Sequence, residues 1–396
     1  MIFNPLLKLS GDTTAEPPSF RNSTINSRPP AIAGVSIIGD VLRPDGKGRP
    51  GGVDRATAWI FDAIKRQVTL ACGLPTDLIT ASGDLALSRW LSTARSPASA
   101  HMYWAACFDD LSHCAGLETI LAARLHGRFC VGYELPPYLR ALLNLWEVSY
   151  IDLRVHPIRF LDDLLFAARA SDGATRDALL AISVAEAEVI VTAGLCEAMC
   201  HMISEARVPS NTLVVVGQRP LDCTQIVAGA FFDAMPRLDE IHAICTQHDA
   251  VLLKPHPLEP QHSLLEIAAS EPNVAGVVND NLYRLLSLPQ ISAVLTVNSS
   301  VAYEAPYFGK RVYALAPLPI KIGWRGTEDA TDVYASLDDR VLSVDFWRLV
   351  LSPHTPVSNT DGVLLPAKPN RLRIALDSFW NYQEIDTDRV PARPAT

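Results

Sequence analysis

The stretch from residue 212 to 315 alternates five apolar runs with segments of helical spacing, and this alternation constrains the chain more than any other feature. The runs are TLVVVGQ (212–218), AVLLK (250–254), NVAGVV (273–278), ISAVLTV (291–297) and RVYAL (311–315), with helix-forming residues over 236–248, about 260–270 and 301–308. Short apolar runs bounded by turn residues and separated by amphipathic stretches predict parallel strands joined by crossover helices. The first half carries the same rhythm less regularly. Strands are expected at VSIIGD (35–40), FCVGYE (129–134) and SYIDLRV (149–155), with helical spacing over 54–70, 115–126 and 135–147. A Gly/Pro-rich loop covers 43–52 and a long helix-rich segment about 161–207. The 396 residues exceed the roughly 250–300 at which single cores stop growing, so two α/β domains are expected. A cleft at the carboxyl ends of their strands suits a nucleotide.

The formal charge of −9 argues against a nucleic-acid partner, whose first requirement is a basic patch. It does not exclude a phosphate-bearing small molecule, which a helix N-terminus and one or two cations can hold. No run approaches 18 apolar residues, so no transmembrane helix is expected, and the N-terminus lacks the basic and long apolar regions of a secretory signal. The eight cysteines form no CxxC pair and sit mostly in apolar segments, which reads as buried free thiols in a reducing cytoplasm. Cys196, Cys200 and His201 share a helical neighbourhood but lack a second ligand pair, so no metal is expected. Residues 1–30 read as an extended arm, and 384–396 as a polar tail.

Four constellations carry candidate chemistry. Lys254-Pro255-His256-Pro257 follows an expected strand, and two prolines around one imidazole hold it in place beside a cation, ready to meet a phosphate or move a proton. The alternative is a turn with an incidental histidine. Asn298-Ser299-Ser300 opens the expected helix 301–308, where hydroxyls and backbone N–H groups form a phosphate seat; Glu304, one turn on, is placed to reach ribose hydroxyls. One serine acting only as a cap is the competing reading. Gly217 through Asp222 (GQRPLD) leaves a strand by a tight exit and brings Asp222 to the cleft rim, where a carboxylate can attack a sugar carbon or merely cap a helix. In the first half, Glu134 is a candidate general base, while His156 and Arg159 offer carboxylate binding or a structural pair.

Together these segments resemble the retaining β-Kdo glycosyltransferases of bacterial capsule and O-antigen assembly. The matching order is GQRPLD (217–222), KPHP (254–257), NSSVAYEA (298–305) and GWRGTED (323–329). KPHP and the Ser-Ser pair are similar to motifs shared by CMP-sugar transferases, sialyltransferases included, and the Gln-x-x-x-Asp loop turns the resemblance toward Kdo. The likeness covers about 212–330; 130–165 match more weakly and 1–110 are unmatched.

The resemblance implies a GT-B fold of two Rossmann-like domains facing across a cleft, with a C-terminal helix crossing back. It divides the chain into an arm (1–30), an acceptor-side domain (31–207), a CMP-sugar-binding domain (208–345) and returning helices with a tail (346–396). It implies transfer of Kdo from CMP-β-Kdo with retention, by double displacement through Asp222, without metal or other cofactor. Glu134 or His256 then serves the acceptor hydroxyl, and Gln218, Lys254, His256, Ser299, Ser300 and Glu304 hold the CMP-sugar. The acceptor is expected to be a glycan terminus, lipid-linked at the inner face of the cytoplasmic membrane, with peripheral membrane or synthase-complex association. Two readings compete: an inverting CMP-sialic acid transferase in which Glu134 is the base and Asp222 a cap, and a non-catalytic glycan-assembly module.

Overall fold

The computed structural model describes residues 32–94, 99–201, 208–257, 259, 262–327, 332–359, 366 and 368–376. The expected arm and tail, and the part beyond residue 376 of the returning C-terminal helix expected over about 371–383, lie outside them. The described chain is a mixed α/β structure built on two largely parallel sheets. Its strands are β1 Val35–Gly39, β2 Thr76–Ile79, β3 Phe129–Tyr133, β4 Tyr150–Val155, β5 Phe166–Ala170, β6 Thr212–Val216, β7 Ile226–Val227 and β8 Ala230–Phe231. They continue with β9 Ala250–Lys254, β10 Val274–Val277, β11 Ile291–Thr296, β12 Arg311–Ala314, β13 Ile322–Gly323 and β14 Tyr334–Leu337.

The second sheet is wholly parallel, in the order β10-β9-β6-β11-β12. Alternate residues of its central strands face opposite helical layers. Leu213, Val215, Val251 and Leu253 pack on Ile241, Ile244, Leu264 and Ile267, while Val214, Val216 and Leu252 pack on Val189, Ala193 and Leu282. Because β6 has β9 on one side and β11 on the other, the strand order reverses at β6 and leaves a crevice beyond its carboxyl end.

The first sheet runs β13-β14-β5-β4-β3-β1-β2. β1 to β4 are parallel and β5 is antiparallel to both β4 and β14. β5 falls inside the segment expected to be helix-rich, because its sequence, FAARA, is alanine-rich and helix-favouring. The open edge of β4 and the packing of Ala167 and Ala168 override that preference. The chain also returns earlier than the expected boundary at 345: β13 and β14 complete the first sheet, not the second. Helix Val344–Leu351 then packs Phe346 and Trp347 into the same core as Ile60 and Ile64 of helix Asp54–Cys72, and Leu372 joins them.

Two exchanges lock the halves together. Ile158 and Phe160, from the β4–β5 connection, enter the core beneath the second sheet, where Phe160 meets the rings of Tyr283 at 5.9 Å and Phe308 at 5.3 Å. Conversely Ile226, from the loop after β6, packs among Ile38, Trp104 and Tyr138 of the first half. Each such buried side chain stabilises the docking by about 1.5–3 kcal/mol. Among the described residues no single helix is long and apolar enough to cross a membrane; only the bent pair Gly173–Ala181 and Glu186–Cys200 reaches that composition, taken together.

Candidate functional site

Six strand ends converge on one cavity of about 310 Å³. From the second sheet, neighbouring β9, β6 and β11 deliver Lys254 to Pro257, Gly217 to Thr224, and Asn298 to Val301. From the first, neighbouring β4 and β3 deliver Arg154, Val155, Pro157, Arg159 and Glu134, while the turn after β1 supplies Arg43 just behind the wall. Gln218, Asp222, Glu134, Lys254, His256, Ser299, Ser300 and Arg159 all line this space, so the structure gathers eight of the ten sequence candidates.

The Asp222 loop is fixed from both sides. Gly217 bonds its N–H to the Lys254 carbonyl, and a Cβ there would stand 2.8 Å from the tip of Leu265 and 3.2 Å from the His256 nitrogen, so a larger residue would push on both loops. Gln218 donates from Nε2 to Asn298 Oδ1 at 2.8 Å and to Thr224 Oγ1 at 3.0 Å, and its Oε1 accepts from the Asn298 N–H at 3.2 Å. Gln218 is therefore spent on joining two loops, which leaves little of it for the ligand contact expected of it.

Asp222 caps the short turn Cys223–Gln225: its Oδ1 accepts from the N–H and the hydroxyl of Thr224, both at 3.0 Å. Its Oδ2 pairs with Arg43 at 3.1 Å, and the other arm of the same guanidinium pairs with Glu134 at 3.2 Å. Burial by itself would raise the Asp222 carboxyl, but Arg43 and Thr224 more than offset it and hold the group below the ordinary range. Asp222 is thus a charged carboxylate on the cavity wall. Next to it the Cys223 thiol, pushed well up by burial and the Asp222 charge, is neutral.

Glu134 leaves β3 with φ +52°, a left-handed conformation that costs a non-glycine residue on the order of 1 kcal/mol. The bend is held by the Glu134 N–H on the Leu153 carbonyl and the Leu135 N–H on buried Asp152. It turns the side chain toward Arg43.

The rest of the lining is rich in cations and hydroxyls. Lys254 donates to the Asp280 carbonyl beside the cavity. His256 is pushed below the ordinary imidazole value, first by burial and then by Arg219, so it meets a ligand as a neutral ring rather than a charge. The hydroxyls of Ser299 and Ser300 take part in no hydrogen bond among the described residues, and Ser300 makes no side-chain cap. Arg159 turns into the same space, and its buried Nε has no hydrogen-bond partner among the described residues. Arg154 stands beside it, paired with Asp152 at 3.3 Å and stacked over the Tyr334 ring at 4.9 Å.

Two candidates lie elsewhere. His156 is fully buried, its Nδ1 accepting from the Ile158 N–H and its Nε2 against Ser336 at 3.1 Å; burial pushes it down to about 3. It shapes the β4–β5 connection and takes only the structural role. Glu304 is also buried, accepting from the Arg159 N–H at 2.8 Å and the Tyr283 hydroxyl at 2.9 Å, so it faces away from the ribose position expected for it. The expected helix 301–308 is one α-turn, Val301–Glu304, followed by a 3-10 turn, Ala305–Phe308, because Pro306 cannot donate the next helical bond. Its dipole is correspondingly weak.

Arg43 and Arg154 are the residues that sequence reasoning passed over as site groups, and Asn298, named only as part of the Asn298-Ser299-Ser300 run, turns out to anchor Gln218. Each sits within two or three positions of an expected strand end, which was the available signal. No cluster of metal-ligating side chains occurs among the described residues.

No protein-family model matches the chain, and no curated protein does either. Among solved structures it is similar to KpsC of Thermosulfurimonas dismutans, a beta Kdo 2,7 transferase, at 13% identity and a TM-score of 0.33, over 75% of this chain and 86% of that one.

Proposed function

We propose that this chain is a glycosyltransferase of the GT-B kind that moves Kdo from CMP-β-Kdo to a glycan acceptor with overall retention. One observation carries the reading: a charged Asp222 lines the same cavity as Lys254, His256, Ser299, Ser300 and Arg159. A carboxylate sharing one small space with phosphate-binding groups is what displacement of a sugar from a nucleotide requires. In the first step Asp222 attacks the anomeric carbon, the bond from that carbon to the phosphate oxygen breaks, and CMP leaves with the electron pair. The phosphate keeps its negative charge beside Lys254 and the two hydroxyls, so no acid is needed. In the second step Glu134 or His256 takes the acceptor hydroxyl proton. The acceptor oxygen then bonds the same carbon, and Asp222 recovers its carboxylate. Two inversions give retention. Arg159 is the group offered to the sugar carboxylate. The donor choice rests on the motif order, and neither metal nor other cofactor is required by the steps. The lipid-linked acceptor and work at the inner face of the cytoplasmic membrane belong to the same proposal.

The cap that Asp222 forms on Cys223–Gln225 favours one second reading, an inverting transfer of a CMP-linked sialic acid with Glu134 as base. Incubation with CMP-Kdo, followed by intact mass and peptide mapping, separates them. A Kdo-sized adduct on Asp222 that disappears in Asp222→Asn is expected. Turnover that survives Asp222→Asn with inverted configuration would overturn the first reading. CMP binding without release for any acceptor points to a binding module.

A further inference from the structure

Arg43 does not line the cavity, yet it touches both carboxylates that do, and they come from different halves of the molecule. Its own placement is rigid. The turn after β1 closes with the Arg43 N–H on the Asp40 carbonyl. Asp40, fully enclosed, accepts from Trp104 Nε1 at 2.7 Å, the Tyr138 hydroxyl at 3.0 Å and the Leu42 N–H at 3.1 Å. The guanidinium then lies over the Trp104 ring, 5.4 Å from its centre, and that ring in turn packs against Phe231 of the Asp222 loop.

Resting on the glycosyltransferase reading above, we propose that Arg43 is a positioning residue that joins Asp222 and Glu134 into one ion-paired assembly across the two halves and fixes where the two carboxylates stand. Two carboxylates directed at one small space repel each other, and burial favours protonating one of them. A forked guanidinium with one arm on each removes that repulsion and fixes their separation, which a single ammonium cannot do as well. Arg43 is surrounded by Asp222, Cys223, Glu134 and Asp40; Asp222 also senses His256, and Glu134 lies near Tyr133 and Arg154. Arg43 is the group that contacts both carboxylates.

The test compares the full chain with Arg43→Met and Arg43→Lys, reading CMP release from CMP-Kdo across pH alongside CMP affinity. Activity that needs a charged Asp222 is lost as pH falls through its ionisation. Removing the cation should therefore move the acid limb of Arg43→Met upward by about 1–3 pH units. Release at neutral pH should fall by roughly 100-fold from misplacement alone, while CMP affinity stays within about twofold because Arg43 lies outside the cavity. Arg43→Lys should restore the limb but only part of the rate. An Arg43→Met limb at the wild-type position, or an Arg43→Lys limb identical to that of Arg43→Met, overturns the proposal.

If the wild-type chain neither releases CMP nor forms an adduct, the glycosyltransferase reading fails, and the ion-paired assembly is read from acid unfolding instead. Arg43→Met, or Arg43→Gln if the former does not fold, should then lose less stability than wild type as pH falls through the Asp222 ionisation, because a carboxyl held low by its partner gives up that stabilisation on protonation. Asp222→Asn should abolish that difference. No difference, or one that persists in Asp222→Asn, overturns the assembly as well.

Discussion

The carboxylate of Glu304 accepts the backbone N–H of Arg159 at 2.8 Å, tying the turn after β11 to the loop after β4. Glu304 follows Ser299 and Ser300 by one turn, so this bond joins the turn that carries the two hydroxyls to the loop of Arg159, whose buried Nε has no hydrogen-bond partner among the described residues. Arg373 continues the tie, donating to the carbonyls of Arg159 at 2.7 Å and Leu161 at 2.8 Å.

Glu304 gives the fold a pH dependence of definite sign. Burial pushes its carboxyl up to about 7 in the folded chain. A raised carboxyl binds its proton more tightly when folded, so its contribution is complete below the unfolded value near 4.5 and declines as pH rises to about 7. The decline amounts to roughly 3 kcal/mol. Denaturant titrations at pH 5 and pH 8 should show it in the wild type, and Glu304→Gln should flatten it.

At Glu134 the left-handed backbone separates stability from function. Glu134→Gly should be more stable than Glu134→Ala by about 1 kcal/mol, because glycine adopts φ +52° without strain. Both variants should lose acceptor transfer by about 10²–10⁴-fold if Glu134 is the base. Equal stability of the two in urea would show that the bend carries no strain.

Ser299→Ala and Ser300→Ala should leave stability within about 0.5 kcal/mol, since neither hydroxyl is used within the described protein. Affinity for CMP should nonetheless fall about tenfold for each, the worth of a hydrogen bond to a charged group. Calorimetric titration with CMP checks this, and an unchanged affinity removes the seat from the phosphate.

Gln218→Ala is the inverse case. It takes from the buried Asn298 N–H its Gln218 acceptor at 3.2 Å and removes the 2.8 Å bond to Asn298 Oδ1, which should cost about 1–3 kcal/mol in a denaturant titration. Because the same bonds hold the Asp222 turn, CMP release should fall as well, through a lower kcat more than a higher KM.

Most of the second sheet was legible because each of its strands is a continuous apolar run and each crossover is local. The site loops were legible for a related reason: in a parallel sheet the residues just past a strand's carboxyl end are placed there by the strand itself. Lys254, His256, Asp222, Ser299 and Ser300 follow in that way. The fate of Glu304 and His156 was not legible, since a polar residue near a strand end points inward or outward according to what packs on it. Tyr283 and the Arg159 N–H drew Glu304 inward; Ser336 and the Ile158 N–H drew His156. β5 and β14 escaped because antiparallel pairing between segments more than 160 residues apart leaves no local signature.

The sequence by itself determined the alternation of strands and helices, the half whose loops bring Lys254, His256, Ser299 and Ser300 to the cavity, and the identity of the carboxylate beside them. Those follow from periodicity and from residues within a few positions of one another. Only the tertiary structure decided that Arg43, 179 residues from Asp222, stands between it and Glu134. A single arginine in a glycine-rich loop has no periodicity to announce it, and its partners are set by how two separately built sheets dock. Docking depends on Phe160 and Ile226 exchanging places between cores, a relation that exists only once both cores are formed.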